Sequence, residues 1–204
     1  MPKSATKQRK LRVLYCTLMD EIKLRTEIIG NTVSGTYLVP PRPAFELAQL
    51  QLRMICELIA LACLAVHGDI PGTQSAKMRS AYTADFILNA LEKLHPRFYP
   101  QPGQTIDHSD GSRGFIPADR AHIMSKDDLV KLYRKCGEHL HRGPFKAMQD
   151  IFASDFQSII IPMAKITRLL HVHRIAFLAS EDELWVSMRH PKTGKVRASL
   201  VRPG

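Results

Sequence analysis

The sequence predicts a mainly α-helical protein: a helical bundle followed by a small C-terminal antiparallel β meander. Three observations carry that reading. Apolar residues recur at spacings of three and four over five segments between residues 11 and 173. After Arg174 the period changes to two, with Trp185, Ser187 and Arg189 alternating with Val186, Met188 and His190. Prolines cluster between the helical patterns, Pro162 excepted.

Taken in order, residues 1–10 read as a basic, flexible tail and residues 11–30 as an N-terminal helix closed by Gly30-Asn31. Gly35, Pro40, Pro41 and Pro43 make the next segment a linker. The strongest helix covers residues 44–67. Leu47, Leu50, Met54, Leu58, Leu61 and Ala65 fall on one stripe, while Leu52, Ile55, Ile59 and Ala62 supply a second apolar face. Two apolar faces predict a central helix of a bundle. Its longest apolar run, residues 55–66, is interrupted by Glu57 and is shorter than the about 20 residues a bilayer requires. No membrane partner is therefore expected. A helix over residues 77–94 turns Tyr82, Phe86, Ala90 and Leu94 inward. Residues 96–123 read as a loop, and Asp107, His108, Ser109 and Asp110 within it as polar surface.

Ser125, with Asp127 and Asp128 in the following turn, caps a helix that reaches His141 and stops at Gly143-Pro144. A helix over residues 146–173 follows, which Pro162 is expected to kink or divide. The meander occupies residues 174–204, and Trp185 is expected to pack on the bundle or on a second subunit. The chain thus divides into a tail (1–10), an N-terminal helix (11–30), a bundle domain (44–173) and a β meander (174–204).

A chain of 204 residues that is 45% hydrophobic can bury one sizeable core. Cys16, Cys56, Cys63 and Cys136 form no CxxC pair, which favours a reducing compartment. With a poor secretory signal at the N-terminus, the expected location is cytoplasmic. Lysine and arginine outnumber acids by 29 to 19, a net charge of +10. The excess sits at the two ends, on Lys3, Lys7, Arg9, Lys10 and Arg12, and on Arg189, Lys192, Lys195, Arg197 and Arg202. Such charge favours RNA or another phosphate-rich partner, with Lys135, Arg142, Arg189, Lys192, Lys195 and Arg197 as candidate contacts.

One segment carries a chemical pattern: Arg134-Lys135-Cys136-Gly137-Glu138-His139-Leu140-His141. At 100° per residue, His141 returns to within about 20° of Arg134, whereas His139 lies about 140° away unless the turn distorts. A guanidinium can hold a phosphate through paired hydrogen bonds, and an imidazole can move a proton near neutral pH. The segment resembles the HEPN superfamily, small helical domains that are often metal-independent endoribonucleases of toxin and phage-defence systems. Arg134 matches the family's arginine, and His139 or His141 its histidine. Lys135 departs in sign from the polar residue usual after the arginine. Glu57 is similar to an acid these domains carry in their first core helix.

The resemblance implies an HEPN-like bundle over roughly residues 44–172 and a homodimer with facing motifs. It implies Arg134, His139 and His141 as catalytic residues, with no cofactor and no metal. The alternative is a solvated helix end in which Arg134 pairs with Glu138. His171 and His173 lack a neighbouring acid or cysteine, so no metal site is expected there. Three function classes stand side by side: a nuclease, a non-catalytic nucleic-acid-binding or regulatory protein, and an assembly module.

Overall fold

A computed structural model describes residues 2–68, 70–80, 83–140, 155–178 and 180–202, and for residues 2–5, 7, 79 and 139 the backbone alone. Six α-helices and five strands are found among them: α1 (Pro2–Val33), α2 (Pro41–Val66), α3 (Ala76–Arg79), α4 (Ala84–Leu94), β1 (Gln101–Asp107), β2 (Arg113–Pro117), α5 (Lys126–Leu140), α6 (Gln157–Leu170), β3 (Val172–Ala176), β4 (Glu183–Ser187) and β5 (Arg197–Val201). The mainly helical bundle with a small β meander is therefore as the sequence predicts.

α2 is the axis of the bundle, flanked by α1, α5 and α4. Its buried line is Ala44, Ala48, Leu52, Ile55, Ile59, Ala62 and Val66. It contains the second apolar face read from the sequence, Leu52, Ile55, Ile59 and Ala62, whereas the leucine stripe lies one position away, with Leu58 buried and Leu50 exposed. α4 shows the same offset, burying Ala84, Ile87, Leu88 and Leu91 in place of Phe86, Ala90 and Leu94. Tyr82, assigned to that stripe, lies outside the described residues. By length and composition α2 could cross a membrane, but 61% of its most apolar window is buried inside the protein.

Four expected elements differ. The segment read as a flexible tail is helical from Pro2, and α1 runs through Gly30 to Val33. α1 is also no separate unit, because Tyr15, Met19, Ile22 and Ile29 join the common core. The helix expected over residues 77–94 is divided, with α3 ending at Arg79 and α4 starting after Thr83. Residues 96–123 contain the β1–β2 hairpin, whose turn places Gly111 at φ +81° and closes through the His108 N–H donating to Ser112 O. α6 begins at Gln157 and carries Pro162 without dividing, while residues 146–154 of the expected helix lie outside the described residues.

The hairpin extends the three-stranded meander to a five-stranded antiparallel sheet in the order β2-β1-β3-β4-β5. One sheet face buries Ile175, Leu184 and Val186 in the common core. On the other, Trp185 meets Phe115 at 5.4 Å between ring centroids. The tryptophan thus packs on the hairpin.

Candidate functional site

α5 presents its polar side where the sequence placed the phosphate chemistry. Ser125 Oγ accepts from the Asp128 N–H at 3.0 Å and starts the helix, and Leu129, Val130, Leu132, Tyr133 and Cys136 turn inward. Arg134, Lys135 and Glu138 are left exposed. Arg134 does not pair with Glu138. Its Nη2 lies 3.2 Å from Asp85 Oδ2 in the first turn of α4, with the arginine side chain 60% exposed. An exposed pair of this kind contributes about 0.2–1 kcal/mol and exchanges readily with solvent anions. His141, Arg142 and the side chain of His139 lie outside the described residues, so of the candidate phosphate-site residues on this segment only Arg134 and Lys135 are placed with their side chains.

Glu57 pairs with Arg53 one turn earlier on α2, at 3.4 Å. Arg53 donates from Nη2 to the Tyr133 hydroxyl at 2.7 Å and lies 4.3 Å from the centre of that ring. Burial first, and then Glu57, raise the Tyr133 pKa against the opposing charge of Arg53. The phenol therefore stays neutral and accepts from Arg53. Gly137 belongs to the same contact, because a Cβ there would collide with the Arg53 guanidinium. This cluster clamps α2 to α5, and it explains a glycine that propensity alone would keep out of a helix.

Among the described residues, no group of three or more His, Cys, Asp and Glu is arranged to hold a metal ion. His171 and His173 do not act together. His171 is exposed at the end of α6, whereas His173 is fully buried and bonded to Tyr15 Oη at 2.7 Å and Leu170 O at 2.9 Å. Burial holds its pKa down at about 4. Burial likewise raises the thiol pKa of Cys56, Cys63 and Cys136, which disfavours all three as nucleophiles.

The basic chain ends are where the fold adds most. β5 lies along α1, with the Ala198 backbone against the Cys16 thiol. At the β4–β5 turn, Lys23 of α1 donates to Gly194 O at 3.0 Å. Arg189, Lys192, Lys195 and Arg197 are exposed around this turn. Arg189 touches Glu27 at 3.9 Å and Arg197 donates to His190 at 3.0 Å. One turn before Cys16, Arg12 carries a buried Nε with no hydrogen-bond partner among the described residues. The sequence named the hairpin cations but not their packing on α1, which Lys23 marks.

The fold defines a helical-bundle protein whose basic last hairpin packs along its first helix. Comparison with family models, with curated proteins and with solved structures returns no match for the chain.

Proposed function

We propose that the chain binds RNA through the ridge formed by α1 and the β4–β5 hairpin, contacting the phosphate backbone without reading sequence. The observation that carries this is the exposed basic β4–β5 turn, held against α1 by Lys23 at Gly194 O, with the basic start of α1 further along the same helix. Residues 7–12 carry Lys7, Arg9, Lys10 and Arg12, residues 189–197 carry Arg189, Lys192, Lys195 and Arg197, and neither stretch contains an acid. Spacing cations along a shared ridge suits a polyanion, whose affinity then rests on counterion release. The test is fluorescence anisotropy with single-stranded and duplex RNA across a salt series. Binding that is insensitive to salt, or unchanged when Lys192, Lys195 and Arg197 become alanine, would sink the proposal.

Cleavage is the second reading, supported by the exposure of Arg134 and by the resemblance of residues 134–141 to the HEPN motif. A phosphate would have to displace the Asp85 carboxylate from the guanidinium. The same RNAs incubated with EDTA test it directly. Products that disappear in Arg134→Ala support Arg134 as the phosphate holder, and products that persist remove it. A homodimer with facing motifs belongs to this reading and is checked by light scattering.

A further inference from the structure

A cavity of about 350 Å³ opens between the α4–β1 connection, the segment before α5 and the second half of β3. Its volume is within the about 300–1,000 Å³ typical of small-molecule sites. The charges around it are unevenly matched. Glu92 is held by Lys126 at 2.7 Å and Glu183 by Arg174 at 3.2 Å, so both lining carboxylates are neutralised from within the protein. Arg97 and Arg120 also line the cavity, and neither forms an ion pair among the described residues. The rest of the wall is largely apolar, including Tyr99 and the buried Met124. The wall segment passes through His122 at φ 63°, a left-handed conformation uncommon outside glycine and often retained at ligand sites.

We propose that this cavity binds a small organic anion, a carboxylate or phosphate monoester with a compact apolar body, whose charged end is taken by Arg97 and Arg120. Paired guanidiniums match the planar or trigonal oxygens of such a group through bidentate hydrogen bonds. The apolar wall receives the body, so neither half of the ligand suffices alone. This site is separate from the RNA ridge and does not depend on it.

The molecule carries its own reporter. Arg174 stacks 4.8 Å from the Phe115 ring centre, and Glu183 accepts from the Trp185 indole N–H at 2.7 Å. Trp185 is the single tryptophan, so an anion entering beside Arg174 and Glu183 alters its emission. The full chain is titrated with phenyl phosphate and with benzoate, with phenol and inorganic phosphate as half-ligands, and heats are measured in parallel.

Saturable binding of either aromatic anion, about tenfold tighter than either half-ligand, is the expected result. Which of the two binds identifies the head group. The Arg97→Gln/Arg120→Gln protein, whose changes are both exposed, keeps its melting temperature and binds about tenfold or more weakly. No saturable signal in fluorescence or heat overturns the proposal, as does equal binding of inorganic phosphate. Affinity unchanged in the double variant, or lost instead in Lys192→Ala/Lys195→Ala, overturns it equally.

Discussion

The Tyr15–His173 contact shows how one buried pair fixes a chemical state. Leu170 O can only accept, so His173 Nδ1 carries the proton and Nε2 accepts from the tyrosine hydroxyl. Protonating Nε2 would bury a charge, which is why burial lowers the pKa from the ordinary 6.5 to about 4. The folded pKa lies below the unfolded one, so the unfolded chain binds more protons between them. The stability from a neutral His173 is thus fully present above about pH 6.5 and is lost as pH falls through about 4. The whole effect is on the order of 3 kcal/mol. Urea unfolding across that window should show the loss in wild type and a flatter profile in His173→Gln; equal slopes would assign the acid sensitivity elsewhere. The cysteines make a second residue-scale prediction. Cys56, Cys63 and Cys136 are buried with raised pKa values, that of Cys136 at about 12, while Cys16 is only partly covered. Cys16 should react first with a thiol reagent in native protein and the others only after unfolding. Peptide mapping after brief labelling would expose an error in that order.

At the scale of elements, the α2–α5 contact makes Gly137 informative. Alanine in place of a helical glycine is ordinarily worth about 0.5–1 kcal/mol. Here the new Cβ would push Arg53 off Tyr133 and Glu57, and losing a half-buried charged hydrogen bond with its ring contact costs about 1–3 kcal/mol. Gly137→Ala should therefore destabilise by about 1 kcal/mol in wild type yet stabilise by a similar amount in an Arg53→Ala background. Stabilisation in both backgrounds would remove the clamp. The same contact shows what sequence could and could not reveal. The cap at Ser125 and the inward face of α5 were legible because their signals are local. Gly137 was not, since its reason lies on another helix. Nor was the partner of Arg134, because Asp85 lies 49 residues earlier. The β1–β2 hairpin was missed because both its faces are largely exposed, leaving no alternation to read, although Asp110-Gly111 is a turn signal. On α2 the second apolar face, Leu52, Ile55, Ile59 and Ala62, was read correctly, while the leucine stripe of α2 and the inward stripe of α4 lie one position from the buried lines.

The whole molecule turns a distribution of charge into a surface. The two basic ends were visible in the sequence, but the packing of the last hairpin on the first helix was not, since it needs β5 to return along α1 after the full bundle has been laid down. Bringing like charges together is unfavourable by itself, and the fold offsets little of it: Arg189 has Glu27 at 3.9 Å and both side chains are more than half exposed. Condensed polyanion would relieve that repulsion, so RNA binding should stabilise the protein as well as depend on salt. Each phosphate contact to a single strand releases about 0.7 counterion, so replacing Arg189, Lys192, Lys195 and Arg197 by alanine should flatten the slope of log K against log salt by about 3. Arg12→Ala, on α1 one turn before the Cys16 that meets Ala198 of β5, should flatten it further by just under one unit. The comparison of the two variants is decisive. If the hairpin residues change the slope and Arg12 does not, α1 is only a support for β5 and the interface is the hairpin alone. If both change it, the two ends act as one binding surface, and the convergence imposed by the fold is what gives the chain its affinity.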